Sequence, residues 1–434
     1  MTEVGDVPRP DPVPVGRGGQ TRERIMVAGS RLFAEHGYDA TTVETVALAA
    51  GIAAPSIYKH FPTKHAVLLA VTDRATRTSQ ARRSLNGPGD LPSQLADLFD
   101  EYMAEGQTQR RRLSIELSRA AFRSDEVGAA LADYNADLRD ALADTIRQAT
   151  PAAAAIDRAE AAMLAHLLLV LLMGAVHLDT LDADRIGDQR LVAFLRERFR
   201  VLLESDPPKV SRGRRTTGSA SVEHDEPDPT DGRRARTVRT KRRILDGAAE
   251  MFALHGYDGT STEMIATSAG ITVPGMYRHV NSKEELLVEV ARRAFDGYRL
   301  VRPLDNGRGL GIGADLADLL SAFASSGDRV GRRLAIELDF GAWRSPALAE
   351  ALRTFHRDVR ANVARTLLAE GLAADEEQAD LAAMVVLMLF MGTAHLDTFD
   401  PTLLDNPAWM GCLRRRVPQL IGGVAPPTSE GTSC

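Results

Sequence analysis

The sequence predicts an all-α protein made of two tandem copies of one helical domain, and three observations lead there. Apolar residues recur at helical spacing along most of the 434 residues, with no alternating strand pattern of useful length. The stretch TTVETVALAAGIAAPSIYKHFPTK at 41–64 returns at 260–283 as TSTEMIATSAGITVPGMYRHVNSK. Around these stretches, residues 21–71 align with 240–290 without a gap, and about two in five positions are identical.

The elements follow in order. Residues 1–16 are rich in Pro and poor in apolar residues and read as a disordered tail. Arg17 to Arg24 form a basic arm into a first helix, on which Ile25, Ala28, Leu32 and Phe33 share a face and Gly37 marks the stop. The repeated stretch reads as two short helices joined by a tight turn. Thr41 with Glu44, and Thr260 with Glu263, have capping-box spacing. Gly51 and Gly270 let the backbone turn, and Pro55 and Pro274 enter the first turn of the second helix. A further helix opens at Lys64, and Asn86-Gly87-Pro88-Gly89 breaks the chain.

Helical spacing then continues at 93–105, 109–121, 125–149, 157–178 and 188–204. Residues 205–235 turn to Ser, Gly, Pro and charge and read as a flexible linker. Everything then recurs. The repeat offset of 219 becomes 221 at Ile336-Glu337-Leu338 and 218 at His395-Leu396-Asp397-Thr398, so the repeated unit is a whole domain.

Net charge is −6, unpromising for a nucleic-acid partner until its distribution is read. Residues 17–64 hold six Lys/Arg against four acids, and 233–283 hold nine against four, so the excess of acid lies elsewhere. The only cysteines, Cys412 and Cys434, argue against a disulfide framework and for a reducing compartment. No Cys/His spacing suggests a metal, and no cofactor or catalytic arrangement is expected. The longest apolar run, Ala161–Val176, is interrupted by His166 and falls short of a membrane span.

GIAAPSIYKHFPTKHAVL and GITVPGMYRHVNSKEELL resemble the TetR family of bacterial transcriptional regulators. The resemblance implies two nine-helix domains, each with a three-helix DNA-reading unit and a helical body for ligand binding and dimerisation. It places the first unit at 17–66 and body at 67–204, the second unit at 236–285 and body at 286–424, and a disordered tail at 425–434. In this family the last two long helices usually pair with a second protomer. Here the nearly all-apolar helices at 157–178 and 376–396 suggest that the two halves pair with each other, as a pseudo-dimer, with further homo-oligomerisation left open. About 31 flexible linker residues span about 30 Å on average, and heads on adjacent major grooves lie roughly 34–36 Å apart.

The expected partner is a double-stranded DNA operator. Tyr58 and Tyr277 either donate to phosphates or close a small core. Lys59, Arg278, His60 and His279 reach phosphates or base edges, and Arg17, Arg22, Arg239 and Lys241 supply basic arms. Lys64 and Lys283 stand at a helix N-terminus suited to a phosphate, and Thr41, Thr42, Thr260 and Ser261 either cap or donate to phosphates. Ala54, Ser56, Val273 and Gly275 face the base-reading side and differ between copies, which implies an asymmetric operator. Ala53 stands where Thr272 caps the second copy, and Val280 replaces the aromatic Phe61.

For an effector, Tyr102, Phe122, Tyr134, Phe323, Trp343 and Phe355 either line a pocket or are plain core. The scarcity of charge inside the bodies points to an apolar small molecule of the lipid, steroid or acyl thioester class. The expectation is a ligand-released repressor in the cytoplasm, held at the nucleoid by DNA. Its alternatives are an activator or ligand-independent regulator and, remotely, a helical carrier or enzyme.

Overall fold

The computed structural model describes residues 17–77, 89–149, 156–204, 232–297 and 312–422. The expected tails at 1–16 and 425–434, and 205–231 of the expected linker, lie outside the described residues. Every regular element among the described residues is helical. The chain divides into two units, Met1–Thr78 and Ser79–Cys434.

The first unit holds α1 (Arg17–His36), α2 (Val43–Ala49), α3 (Ala54–Ile57) and α4 (Lys64–Arg77). Ile25, Phe33, Ala47, Ile57, Phe61 and Val71 are buried in it. The expected basic arm is already helix, because α1 begins at Arg17. Arg22 and Arg24 pin its first turns by donating to backbone carbonyls of the repeated stretch.

The second unit begins with the first body: α5 (Leu91–Met103), α6 (Thr108–Ala121), α7 (Asp125–Ala149), α8 (Arg158–Ile186) and α9 (Gln189–Glu204). The second three-helix head follows as α10 (Gly232–Gly259), α11 (Thr262–Ser268) and α12 (Val273–Met276), with α13 (Lys283–Gly297) leading out of it. Residues 232–235, expected as linker, are the first turn of α10. The second body is α14 (Ile312–Phe323), α15 (Arg329–Ala342), α16 (Pro346–Ala369), α17 (Glu376–Thr393), α18 (Leu396–Phe399) and α19 (Pro407–Ile421).

The two bodies share one apolar core. Helices α8 and α17 cross at two glycines: a Cβ on Gly174 would meet the Met388 carbonyl oxygen at 1.8 Å, and one on Gly392 would meet that of Val170 at 1.8 Å. Only a residue without a side chain permits backbones this close. Helices α9 and α19 complete a four-helix seam, so the halves pair as expected from the apolar faces. The segment Arg158–Asp179 is 22 residues long and apolar enough to cross a membrane by length, longer than the run read from the sequence; 78% of its apolar window is buried inside the protein.

Ion pairs repeat on both sides of the seam. Arg111 Nε donates to Asp179 at 2.8 Å and its Nη1 to the Tyr102 and Ala104 carbonyls; Arg332 does the same to Asp397 (2.7 Å), Phe323 and Ser325. Across the seam Arg139 pairs with Asp400 and Arg360 with Asp182. The repeated His-Leu-Asp-Thr motif is therefore structural. Its Asp holds an arginine, and its His177 and His395 meet Nε2 to Nε2 between the bodies.

Candidate nucleic-acid interface

In each head, a buried threonine, a capping hydroxyl and a lysine clamp fix the short second helix. The N-caps of α2 and α11 are Thr42 and Ser261, whose oxygens accept from Thr45 N and Met264 N, both at 3.2 Å. The capping box expected from Thr41 and Thr260 thus shifts by one residue and, in the first copy, closes on Thr45 rather than Glu44. Thr41 and Thr260 are 2% exposed, and their hydroxyls donate to the Gly37 and Gly256 carbonyls, each at 2.7 Å. Both leave the set of phosphate donors, because burial removes them from any ligand.

Lys64 and Lys283 hold the same loop. Lys64 Nζ donates to the carbonyls of Tyr38 (2.9 Å), Thr41 (3.0 Å) and Asp39 (3.4 Å). Lys283 Nζ donates to those of Tyr257 (2.8 Å) and Thr260 (3.0 Å). Each ammonium also lies over a tyrosine ring, at 4.2 Å from the Tyr38 centroid and 4.3 Å from that of Tyr257. Burial pulls the Lys283 ammonium below its ordinary value. These lysines lock the loop before the helix-turn-helix.

Gly51 and Gly270 take φ of +65° and +63° at the turn, as the motif requires. Arg24 Nη2 donates to the Ala50 and Gly51 carbonyls, and Arg243 Nη2 to that of Gly270 at 3.2 Å, so a conserved geometry joins α1 or α10 to the turn in both heads. The sequence carried this as an identical Arg at equivalent positions, which the charge count absorbed into the basic arm.

With that scaffold set, the outward residues are Tyr58 (50% exposed) and Tyr277 (45%), with Lys59 and Arg278 exposed beside them. His60 and His279 are half-buried, as are Ala54, Ser56, Val273 and Gly275. Ile57 and Met276 turn inward. The tyrosines thus do not close a core. Thr42 and Ser261 remain exposed, and a capping hydroxyl still has its own hydrogen to donate.

The heads differ at their anchors. Ala53 gives α3 no side-chain cap, whereas Thr272 Oγ1 accepts from Gly275 N at 3.2 Å. Arg22 donates to the His60 carbonyl and stacks 4.2 Å above the Phe61 ring. Its counterpart Lys241 instead pairs with Glu289 at 2.8 Å, and Val280 offers no ring. Arg239 is exposed, with Nε 3.4 Å from the Ala235 carbonyl. The Arg17 side chain lies outside the described residues.

One carboxylate ties the second head to both bodies. Arg119 on α6 donates through Nε and Nη2 to Glu337 on α15, at 2.9 and 2.8 Å, and through Nη1 to Glu116 at 2.6 Å. Tyr257 N in the second head donates to Glu337 Oε2 at 3.2 Å. Burial opposes the Arg119 charge, but Glu337 and Glu116 outweigh it and hold the guanidinium above its ordinary value.

The six aromatics expected around an effector all pack on the shared core. Phe122 lies under Arg333 at 4.7 Å and Trp343 under Arg112 at 5.3 Å, so each is covered by a guanidinium of the other body. Tyr102 lies under Arg110 at 5.5 Å, Phe323 beside Phe390 at 6.1 Å and Phe355 beside His356 at 5.7 Å. Tyr134 is half-buried on α7. A cleft of about 480 Å³ opens elsewhere, between α7, the start of α8 and the residues joining α18 to α19, and none of the six lines it. Cys412 is a buried thiol, pushed up to about 12 by burial.

The family model for bacterial regulatory proteins of the tetR family matches twice, at residues 25–71 and 244–290. The chain is 27% identical over 162 residues to a probable HTH-type transcriptional regulator, ArpR, of Pseudomonas putida, covering 34% of this chain and 77% of that protein. It is 37% identical over 68 residues to the HTH-type transcriptional regulator RutR of Escherichia coli K12, covering 15% of this chain and 32% of that protein. Among solved structures, Salmonella enterica GusR matches with a TM-score of 0.39 and 23% identity, over 44% of this chain and 99% of that one.

Proposed function

We propose that this chain, which belongs to the TetR family and carries the family's DNA-reading unit twice, is a repressor that grips an asymmetric operator and is released by a small apolar ligand. As a member it is a DNA-binding transcriptional regulator, and its relatives are regulators rather than enzymes. The observation that carries the reading is the exposed pair Tyr58-Lys59, repeated as Tyr277-Arg278, with half-buried His60 and His279 beside them, in the turns that end two short helices. Tyrosine and the cation beside it suit phosphates, while Ser56 and Gly275, with Ala54 and Val273, differ where base edges would be read.

Release by a ligand needs a body conformation that disfavours DNA. In support, Glu337 joins Arg119 of one body to the backbone of the second head, so a shift between bodies bears on that head. The proposed heads occupy 17–66 and 236–285, the bodies 67–204 and 286–424, and the compartment is the cytoplasm. Footprinting the purified protein on the DNA upstream of its own gene tests the reading. Unequal protection of two half-sites is expected; equal contacts on a perfect palindrome would remove the asymmetry, and no protected site would remove the function.

A further inference from the structure

The cleft of about 480 Å³ owes its existence to a broken internal symmetry. The two bodies superpose in sequence at an offset of 218 along α8–α9 and α17–α19, with Asp157 and Asp375 capping at equivalent positions. On one side of the seam the gap is bridged by ion pairs: Arg185 to Asp380 at 2.8 Å and Arg190 to Glu377 at 3.3 Å. On the other side the counterparts of those four residues are Leu403, Ala162, Ala408 and Ala159. Neither of those two pairs can form there, and the cleft opens beside the Arg139–Asp400 and His166–Asp400 contacts that still cross the seam, with Leu403, Ala159 and Ala162 in its wall beside Met163.

Its charged lining is two arginines and two aspartates, but the aspartates both lie against Arg139 and leave Arg158 apart. Arg139 is matched by Asp140 at 2.7 Å and Asp400 at 3.4 Å. His166 places Nδ1 2.9 Å from the Ala162 carbonyl and Nε2 3.0 Å from Asp400, so both ring nitrogens face oxygen acceptors. Arg158, exposed in the first turn of α8, has no carboxylate partner among the described residues. It also stands at the helix end where a cation is disfavoured, so a bound anion would relieve it.

We propose that this cleft binds a small amphiphilic monoanion, a carboxylate with an apolar tail, its head on Arg158 and its tail along Met163, Leu403 and the two alanines. The volume falls within the range of about 300–1,000 Å³ common to small-molecule sites. The site deepens the ligand-released reading above and rests on it only for its effect on DNA; binding stands apart from that effect. The occupied cleft would bridge α8 of one body to the α18–α19 turn of the other, across the seam.

The test uses the full-length protein with sodium octanoate, 1-octanol and sodium sulfate as probes, measured by isothermal calorimetry. Octanoate is expected to bind at least tenfold more tightly than either octanol or sulfate. Arg158→Glu should weaken octanoate at least tenfold. Ala162→Asp combined with Leu403→Arg rebuilds the ion pair of the opposite side and should abolish binding, with circular dichroism confirming the fold. No octanoate binding, or equal binding by Arg158→Glu, would overturn the proposal, and that exposed variant decides the matter if the double variant misfolds. DNA affinity of the unliganded protein, read separately by fluorescence anisotropy, shows whether the regulator reading itself fails.

Discussion

Arg119 and Glu337 form a bidentate pair buried between the two bodies, with Nε and Nη2 of one 2.9 and 2.8 Å from the two carboxylate oxygens of the other. They are not equivalents in the repeat: the counterpart of Arg119 is Phe340, whose ring lies 3.7 Å from the Arg119 guanidinium carbon. The link therefore runs one way, from the first body through the second to Tyr257 N. Removing the carboxylate leaves a buried guanidinium with Glu116 alone.

Glu337→Ala is accordingly expected to cost about 3 kcal/mol, the low end for a broken buried pair. Glu337→Gln, which keeps an acceptor for Tyr257 N, should cost less. Urea denaturation followed by circular dichroism measures both, and equal losses would mean the head contact contributes nothing.

The lysine clamp and the outward tyrosine separate stability from binding. Lys64→Met strips hydrogen bonds from three loop carbonyls and should destabilise the first unit by about 1–3 kcal/mol. Tyr58→Phe, at a half-exposed position, should leave the melting temperature unchanged and weaken operator binding about tenfold, or about 1.4 kcal/mol. Thermal melts paired with anisotropy titrations check the contrast.

Where α8 and α17 cross, Gly174→Ala would push a methyl into the Met388 carbonyl. The backbones must part, so a loss of about 3 kcal/mol or more is expected, above the usual cost of overpacking. Gly371→Ala, with open space around its Cβ but φ of +69°, serves as a control for backbone strain alone and should cost less. Urea midpoints and the hydrodynamic radius distinguish the two.

Acid should loosen the seam. Burial lowers His177 to about 3 and also lowers His395 and His356. Neutral imidazoles depressed in the folded state contribute stability that is present above their ordinary 6.5 and lost as pH falls below it. Burial also raises Asp339, which sits 2.5 Å from His177, to about 7, and that contribution has the opposite sign: full below 3.8 and lost as pH rises toward 7. Between about pH 6.5 and 4 three losses oppose one gain, so stability falls on acidification. Urea midpoints at pH 7, 6 and 5 should decline, and His395→Gln should flatten the trend.

Much of this was legible in the linear order of residues. The helix limits at 125–149 and 188–204, the glycine turns and the missing cap at Ala53 all appear where local spacing placed them. Local rules suffice there because capping, turn conformation and apolar periodicity involve neighbours a few residues apart. The structural roles of Thr41 and Lys64 were not legible there for the complementary reason. Each carries a group that suits a phosphate, and only the folded loop reveals the carbonyl oxygens, 23 to 26 positions away for Lys64 and at Gly37 for Thr41, that accept the same hydrogens.

The sequence by itself determined the helical class, the duplication and the family, since these are written in periodicity and in a motif repeated at a nearly fixed offset. Only the tertiary structure decided which identical-looking residues face outward and which are spent inside, that α8 and α17 cross backbone to backbone, and that two ion pairs on one side of the seam have no counterpart on the other, where a cleft opens. Those outcomes depend on contacts between residues some 200 positions apart, whose geometry no local pattern encodes.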